Sequence, residues 1–222
     1  ILERLKDDEP RDQIKRNRSP MWLLVADRLW SKIVLLNSRE NPQLVGESLE
    51  EIGKARGNDP YDVVLDLLLE EGNDMHQLLW TSHAFLESDL ELCLEQPECA
   101  VISDTLALAP YGDLATQLGS LSGYGWTSEF LNRYVKELNV MSLSEGVRRL
   151  TSLPAERLGL RDRGLVREGL KADIVVFDPD TIRSTWTVQQ PRSYPTGIEY
   201  VIVNGRLTIS AGERTDNDGG MV

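Results

Sequence analysis

The sequence predicts an α/β fold with a β-rich tail, and three observations carry that reading. Capped helices alternate with short apolar runs in the first part. Glycine-, proline- and aspartate-punctuated β-type runs dominate beyond about residue 160. An Asn204-Gly205 pair sits between two alternating apolar stretches. The chain has 222 residues, with 41% hydrophobic and 27% charged residues, the balance of an ordinary folded protein.

The elements follow in order. Residues 1–18 place Ile1, Leu2, Leu5 and Ile14 among dense charge and predict an exposed amphipathic helix or lid. Lys32-Ile33-Val34-Leu35-Leu36 predicts a short buried strand. Ser48-Leu49-Glu50-Glu51 is a capping box that starts a helix ending near Gly57. Asn58-Asp59-Pro60 starts another, with Val63, Val64, Leu67 and Leu68 on one face and Gly72 at its close. Met75–Trp80 then reads as extended, Ser88-Asp89-Leu90-Glu91 as a helix start, and Cys99–Ile102 as a strand. That β-α-β order predicts parallel pairing.

Residues 105–126 show little periodicity and read as a long loop. A helix beginning at Thr127 or Ser128 places Phe130, Leu131, Tyr134 and Val135 together, and Ser142 with Glu145 caps the next. In the tail, 164–169, 173–178, 184–188 and 198–209 read as strands. Asn204-Gly205 suits a type I′ turn, which needs positive φ at both positions. The domain boundary is therefore expected near 160, giving 1–160 and 161–222.

Lys+Arg of 24 against Asp+Glu of 36 gives a net charge of -12. Such a surface repels phosphate backbones and anionic lipid, so neither nucleic acid nor a membrane is expected as a partner. Two cysteines, Cys93 and Cys99, form no disulfide framework, which points to a reducing, cytoplasmic setting. The first residue is Ile rather than Met, and sequence is expected to precede it.

Few residues carry chemistry by themselves. His76 and His83 have neither the i,i+4 nor the i,i+2 spacing of a metal pair. Gly119-Ser120-Leu121-Ser122-Gly123 lacks the G-x-S-x-G frame of a nucleophile elbow. No phosphate-binding glycine fingerprint is present. Asp104 remains, at the end of Val101-Ile102-Ser103 and before a long loop, where α/β sheets project catalytic groups. Taken alone, the reading of Asp104 as a turn starter is the stronger.

Residues 144–160 (Ser-Glu-Gly-Val-Arg-Arg-Leu-Thr-Ser-Leu-Pro-Ala-Glu-Arg-Leu-Gly-Leu), then Arg161–Gly169 and Ala172–Asp178, resemble the C-terminal signature of the amidohydrolase superfamily. Gly197–Gly205, Leu2–Leu5 and Gly46–Leu49 bring the resemblance closest to the N-acyl-D-amino-acid deacylase (D-aminoacylase) branch. The resemblance implies the C-terminal part of a (β/α)8 barrel, with a helical insertion around residues 48–72, followed by a small β-sandwich segment. A complete barrel needs ~250 residues, more than this chain has.

It further implies a zinc-dependent hydrolase of N-acyl-D-amino acids. In that family the last barrel strand ends in an Asp that activates metal-bound water and relays its proton to the leaving amine, and Ser103-Asp104 matches that position. Asp104 is therefore the expected catalytic residue, with no metal or cofactor ligand in this chain and the zinc ligands expected upstream of Ile1. Here the Asp is followed by Thr105–Gly112 rather than by Gly and a His-rich loop. The chain alone is expected to be inactive and to need its missing N-terminal half or self-association. The alternatives are a cyclic-amide hydrolase of the hydantoinase type and a non-catalytic binding module.

Overall fold

Ile33-Val34-Leu35-Leu36-Asn37 is apolar enough to be buried from both sides, and in the computed structural model it forms strand β1 (Ile33–Asn37). The structure describes residues 2–17, 23–83, 85–105, 109, 111, 121–187, 190 and 192–220. These gather into two compact units, one within residues 1–86 and the other within 87–222.

In the first unit, β1 pairs on one edge with β2 (Leu79–Ser82). On its other edge, Leu35 N–H donates to Glu47 O at 2.9 Å and Gly46 N–H to Leu35 O at 2.8 Å. Both edges are thus occupied, which is why the run is uniformly apolar. The pairing of β1 with β2 is antiparallel, with Ile33 opposite Ser82 and Leu35 opposite Trp80. The parallel pair expected of Met75–Trp80 and Cys99–Ile102 is corrected, because Cys99–Ile102 forms no strand. A single crossover helix returns a chain to the end where its strand began. Here two helices, α3 (Leu49–Arg56) and α4 (Pro60–Glu71), and a 3-10 turn over Gly72–Gln77 intervene, and the chain re-enters from the opposite end. The 3-10 turn also takes the first residues of the expected extended run, so the strand starts at Leu79.

Helix α3 begins as its sequence dictates. Ser48 Oγ accepts from Glu51 N–H at 3.3 Å, and Ser48 N–H donates to Glu51 Oε2 at 2.8 Å, which satisfies two helix-end groups reciprocally. Asp59 caps α4 through Tyr61 N–H at 2.9 Å. The two helices close over β1: Trp30, Ile33, Leu35, Leu49, Ile52, Val63, Leu67 and Leu78 form one core, where each aliphatic chain contributes roughly 1.5–3 kcal/mol. The charged N-terminal stretch forms α1 (Asp8–Arg16), preceded by a 3-10 turn with Leu5 buried. Arg11 pairs with Asp66 at 2.6 Å and Lys15 with Asp62 at 2.5 Å, docking α1 on α4. A further helical turn, α2, spans Leu23–Ala26.

The second unit starts with α5 (Glu87–Leu94). Glu87, one residue ahead of the expected cap at Ser88, opens the helix, and Arg133 holds its carboxylate with two bonds of 3.0 and 3.1 Å. α6 (Trp126–Glu129) runs into a π-helical stretch, Phe130–Glu137, which buries Phe130, Leu131 and Val135 as the spacing predicts. α7 (Leu143–Leu150) and α8 (Ser152–Arg157) follow. Ser142 caps α7 by accepting Glu145 N–H at 3.3 Å. The Glu145 carboxylate has a different employment: it accepts from Arg148 Nε at 2.7 Å and Arg149 Nε at 2.8 Å.

The tail forms an antiparallel sheet in the order β3 (Ile174–Phe177), β4 (Ile198–Val203), β5 (Arg206–Ser210), β6 (Glu213–Arg214). Asn204 and Gly205 sit at φ 48° and 78°, the type I′ turn that their sequence favours. Asp173 reinforces it, its carboxylate accepting Asn204 N–H at 2.7 Å. Three expected strands are corrected. Residues 164–169 are bends and turns with positive φ at both glycines, leaving Leu165 and Val166 exposed without a neighbouring strand. Around 184–188, pairing is limited among the described residues to one bridge, Arg183 with Thr196. Cys99–Ile102 is irregular, and Val101 N–H goes to Arg149 O on α7 at 3.2 Å rather than to a strand. Leu94, Phe130, Leu131, Val135, Met141 and Ile182 form this unit's core, with Val101, Phe177 and Ile198 packed on it.

Two predictions follow from these contacts. Gly197 has φ +82°, and a Cβ there would lie 2.4 Å from Ile182 N and 2.5 Å from Ile182 Cα. Gly197→Ala is expected to lower unfolding stability by about 3 kcal/mol in a urea titration, and a change under about 0.5 kcal/mol would contradict the packing. Hydrogen bonds from Arg148, then Arg149, hold the Glu145 carboxyl down to about 2. A carboxyl lowered on folding stabilises above its unfolded value and loses that contribution as pH falls from about 4.5 toward 2. The urea midpoint of the native protein should therefore fall more steeply over that window than that of Glu145→Gln. Parallel curves would show that the pairing contributes nothing.

Candidate functional site

Asp104 stands where a structured segment gives out. Leu94 closes α5, Cys99 N–H donates to Gln96 O at 3.0 Å, and Cys99 and Val101 rest on the second core. Beyond Val101 the backbone leaves that core. Ile102 is 75% exposed, and Asp104 is exposed with φ 46°, in the left-handed region. Asp tolerates that region better than most residues, yet the conformation is sparsely populated, and such positions concentrate where a side chain is aimed for a task. The result is a carboxylate presented to solvent from an anchored base.

The anchor comes from α7. Arg149 O accepts Val101 N–H, its Nη1 donates to Leu94 O at 2.5 Å, and Arg148 Nη2 donates to Pro97 O at 2.7 Å. Both guanidinium groups pair with the single Glu145 carboxylate. Reading the sequence alone misses this trio as a functional element. Glu145, Arg148 and Arg149 at i, i+3 and i+4 mark a paired helix face, but nothing local shows that the two arginines reach a segment some fifty residues earlier.

The other candidates stay separate. His76 lies in the 3-10 turn over Gly72–Gln77 and His83 just after β2, both exposed in the first unit, whereas Asp104 belongs to the second. Cys93 is an exposed free thiol and Cys99 a half-buried one. Most of Gly119–Gly123 and of the loop after Thr105 lies outside the described residues. Among the described residues, no three His, Cys, Asp or Glu side chains are grouped so as to hold a metal ion, and no helix is long and apolar enough to cross a membrane. The described residues therefore do not by themselves fit a zinc centre.

Comparison with known proteins finds relatives over most of the chain. Residues 106–209 match the Amidohydrolase family. D-aminoacylase of Alcaligenes xylosoxydans xylosoxydans is 29% identical over 192 residues, covering 82% of this chain and 35% of the relative. N-acyl-D-aspartate deacylase of the same organism is 29% identical over 197 residues, covering 89% of this chain and 36% of the relative. Among solved structures, N-acyl-D-glutamate deacylase of Bordetella bronchiseptica, complexed with zinc and a phosphonate mimic of the reaction's tetrahedral intermediate, superposes with a TM-score of 0.64 at 29% identity. That match covers 82% of this chain and 35% of the deacylase. The chain thus spans about a third of the length of these relatives, with the mixed helix and strand fold they share. The resemblance carried by residues 144–178 thus extends across most of the chain, which is similar to D-aminoacylase and to the N-acyl-D-amino-acid deacylases.

Proposed function

We propose that this chain is the C-terminal portion of a metal-dependent amidohydrolase that cleaves the amide bond of small N-acyl-D-amino acids, and that Asp104 moves the proton. The observation that carries the reading is Asp104 itself, an exposed carboxylate held in a left-handed conformation at the end of an anchored segment. In this architecture residues 1–160 supply the last strand–helix units of a (β/α)8 barrel, and residues 161–222 begin a β-sandwich. The β3–β6 sheet and the deacylase relatives support that assignment.

The chemistry asked of Asp104 is general base, then general acid. As water attacks the amide carbonyl, the carboxylate takes a proton from it. As the C–N bond breaks, the same proton passes to the departing nitrogen, leaving a carboxylic acid and a free D-amino acid. A carboxylate suits the first step because it is ionised at neutral pH, and the second because it is protonated only transiently. Zinc, when bound in the whole protein, supplies polarisation of water and carbonyl. Its ligands lie outside the described residues of this chain.

The remaining barrel strands are the partner this reading requires. Phe85 in the first unit and Leu92 and Ile102 in the second are 77%, 62% and 75% exposed, apolar side chains that added strands would cover. Two free cysteines fit a reducing, cytoplasmic setting.

The test uses the longer polypeptide that contains this sequence. Asp104→Asn is expected to lower kcat on N-acyl-D-amino acids by about 10²–10⁴-fold while bound metal is retained. This chain alone, supplied with zinc, is expected to show no turnover. A variant within threefold of the native kcat, or activity from the isolated chain, would overturn the proposal.

A further inference from the structure

The segment that ends at Asp104 is held at three points by two consecutive residues of α7. Arg149, 3% exposed, donates through Nη1 to Leu94 O at 2.5 Å and through Nε to Glu145 Oε1 at 2.8 Å, and its own carbonyl accepts Val101 N–H at 3.2 Å. Arg148 Nη2 donates to Pro97 O at 2.7 Å and to Glu145 Oε1 at 2.8 Å, while its Nε donates to Glu145 Oε2 at 2.7 Å. Leu94 O is one of the carbonyls that a helix C-terminus leaves without an internal partner, and a cation there also suits the helix dipole.

Stability is a poor reason to bury such a group. An ion pair taken out of water rarely outdoes a well-packed apolar side chain, and the best-attested use of one is to fix register. Arginine fits that use here, because its planar fork serves the Leu94 carbonyl and the Glu145 carboxylate in fixed directions, which the point charge of lysine does not reproduce. From Val101 to Asp104 is three residues, and that stretch leaves the core at once. Val101 is the last residue of that stretch on the core, so its anchoring fixes where the exposed run to Asp104 begins.

We infer that Arg149, paired with Glu145 and assisted by Arg148, is a positioning residue for the reaction, acting through Asp104. The inference rests on the role proposed for Asp104. A displacement of about 1 Å in a reacting group costs as much as a hundredfold in rate without weakening substrate binding. Loss of Arg149 should therefore act on kcat and leave KM alone.

The experiment compares Arg149→Met, Arg149→Lys and Arg148→Ala in the longer polypeptide, measuring kcat, KM, bound metal and hydrogen exchange at the Val101 amide. Arg149→Met is expected to lower kcat by about 10- to 100-fold with KM within twofold, metal content unchanged and Val101 exchange at least about tenfold faster. Arg149→Lys should recover only part of kcat. Unchanged kcat, full recovery by lysine, or kcat, KM and metal content falling together would overturn the inference. Should Arg149→Met fail to fold, the half-exposed Arg148→Ala decides: a fall in kcat of about threefold or more at constant KM supports the clamp, and native kcat refutes it. If the native polypeptide hydrolyses no N-acyl amino acid, the proposed function fails. Val101 exchange then judges the clamp alone, and an unchanged rate in Arg149→Met overturns it.

Discussion

A guanidinium removed from water must find a counter-charge and acceptors for its N–H groups, or the fold around it does not form. Arg149 meets that demand with Glu145 on its own helix and the carbonyl of Leu94 from α5. Much of the second unit is arranged around this single requirement. It ties α7 to the end of α5, and the same residue's carbonyl accepts the N–H of Val101, which rests on the core of Phe130, Leu131 and Val135 before the chain reaches the exposed Asp104. Glu145 gives up the return half of its capping box to serve this pairing, so the helix start is less fully satisfied while the helix face becomes a clamp.

Local chemistry was legible wherever the partner lay within a few residues. Ser48 and Glu51 cap α3 as written, Asp59 and Pro60 start α4, and Asn204-Gly205 turns the hairpin, because each depends on backbone groups that the same short stretch supplies. Pairing over longer range was not legible. Ile33–Asn37 reads as a strand, but its direction relative to β2 depends on how many helices intervene and where the last of them delivers the chain. Cys99–Ile102 has strand composition, yet its Val101 N–H is bonded to a helix, and periodicity says nothing about the identity of a neighbour. Leu165 and Val166 look like strand residues for the same reason, while the positive φ of Gly164 and Gly169 bends the chain away from any sheet.

The site divides along the same line. Asp104 could be singled out as a carboxylate at the end of an apolar run, but its choice over an ordinary turn aspartate came from the resemblance carried by residues 144–178. Arg148 and Arg149, which hold the segment before Asp104, sit inside that very stretch, so a motif that reads as structural is hydrogen-bonded to the chain leading to the proposed proton carrier. The metal ligands are another matter. Among the described residues no three His, Cys, Asp or Glu side chains are grouped to hold a metal ion, and the chain spans about a third of its relatives.

The central claim is that Asp104 is the group facing the reacting atoms. Its most direct test is a crystal structure of the longer polypeptide with a phosphonate mimic of the tetrahedral intermediate. The account predicts an Asp104 carboxylate oxygen within about 2.6–3.2 Å of a phosphonate oxygen or of the leaving-nitrogen position. Asp104 remaining in solvent while another carboxylate occupies that place would contradict it.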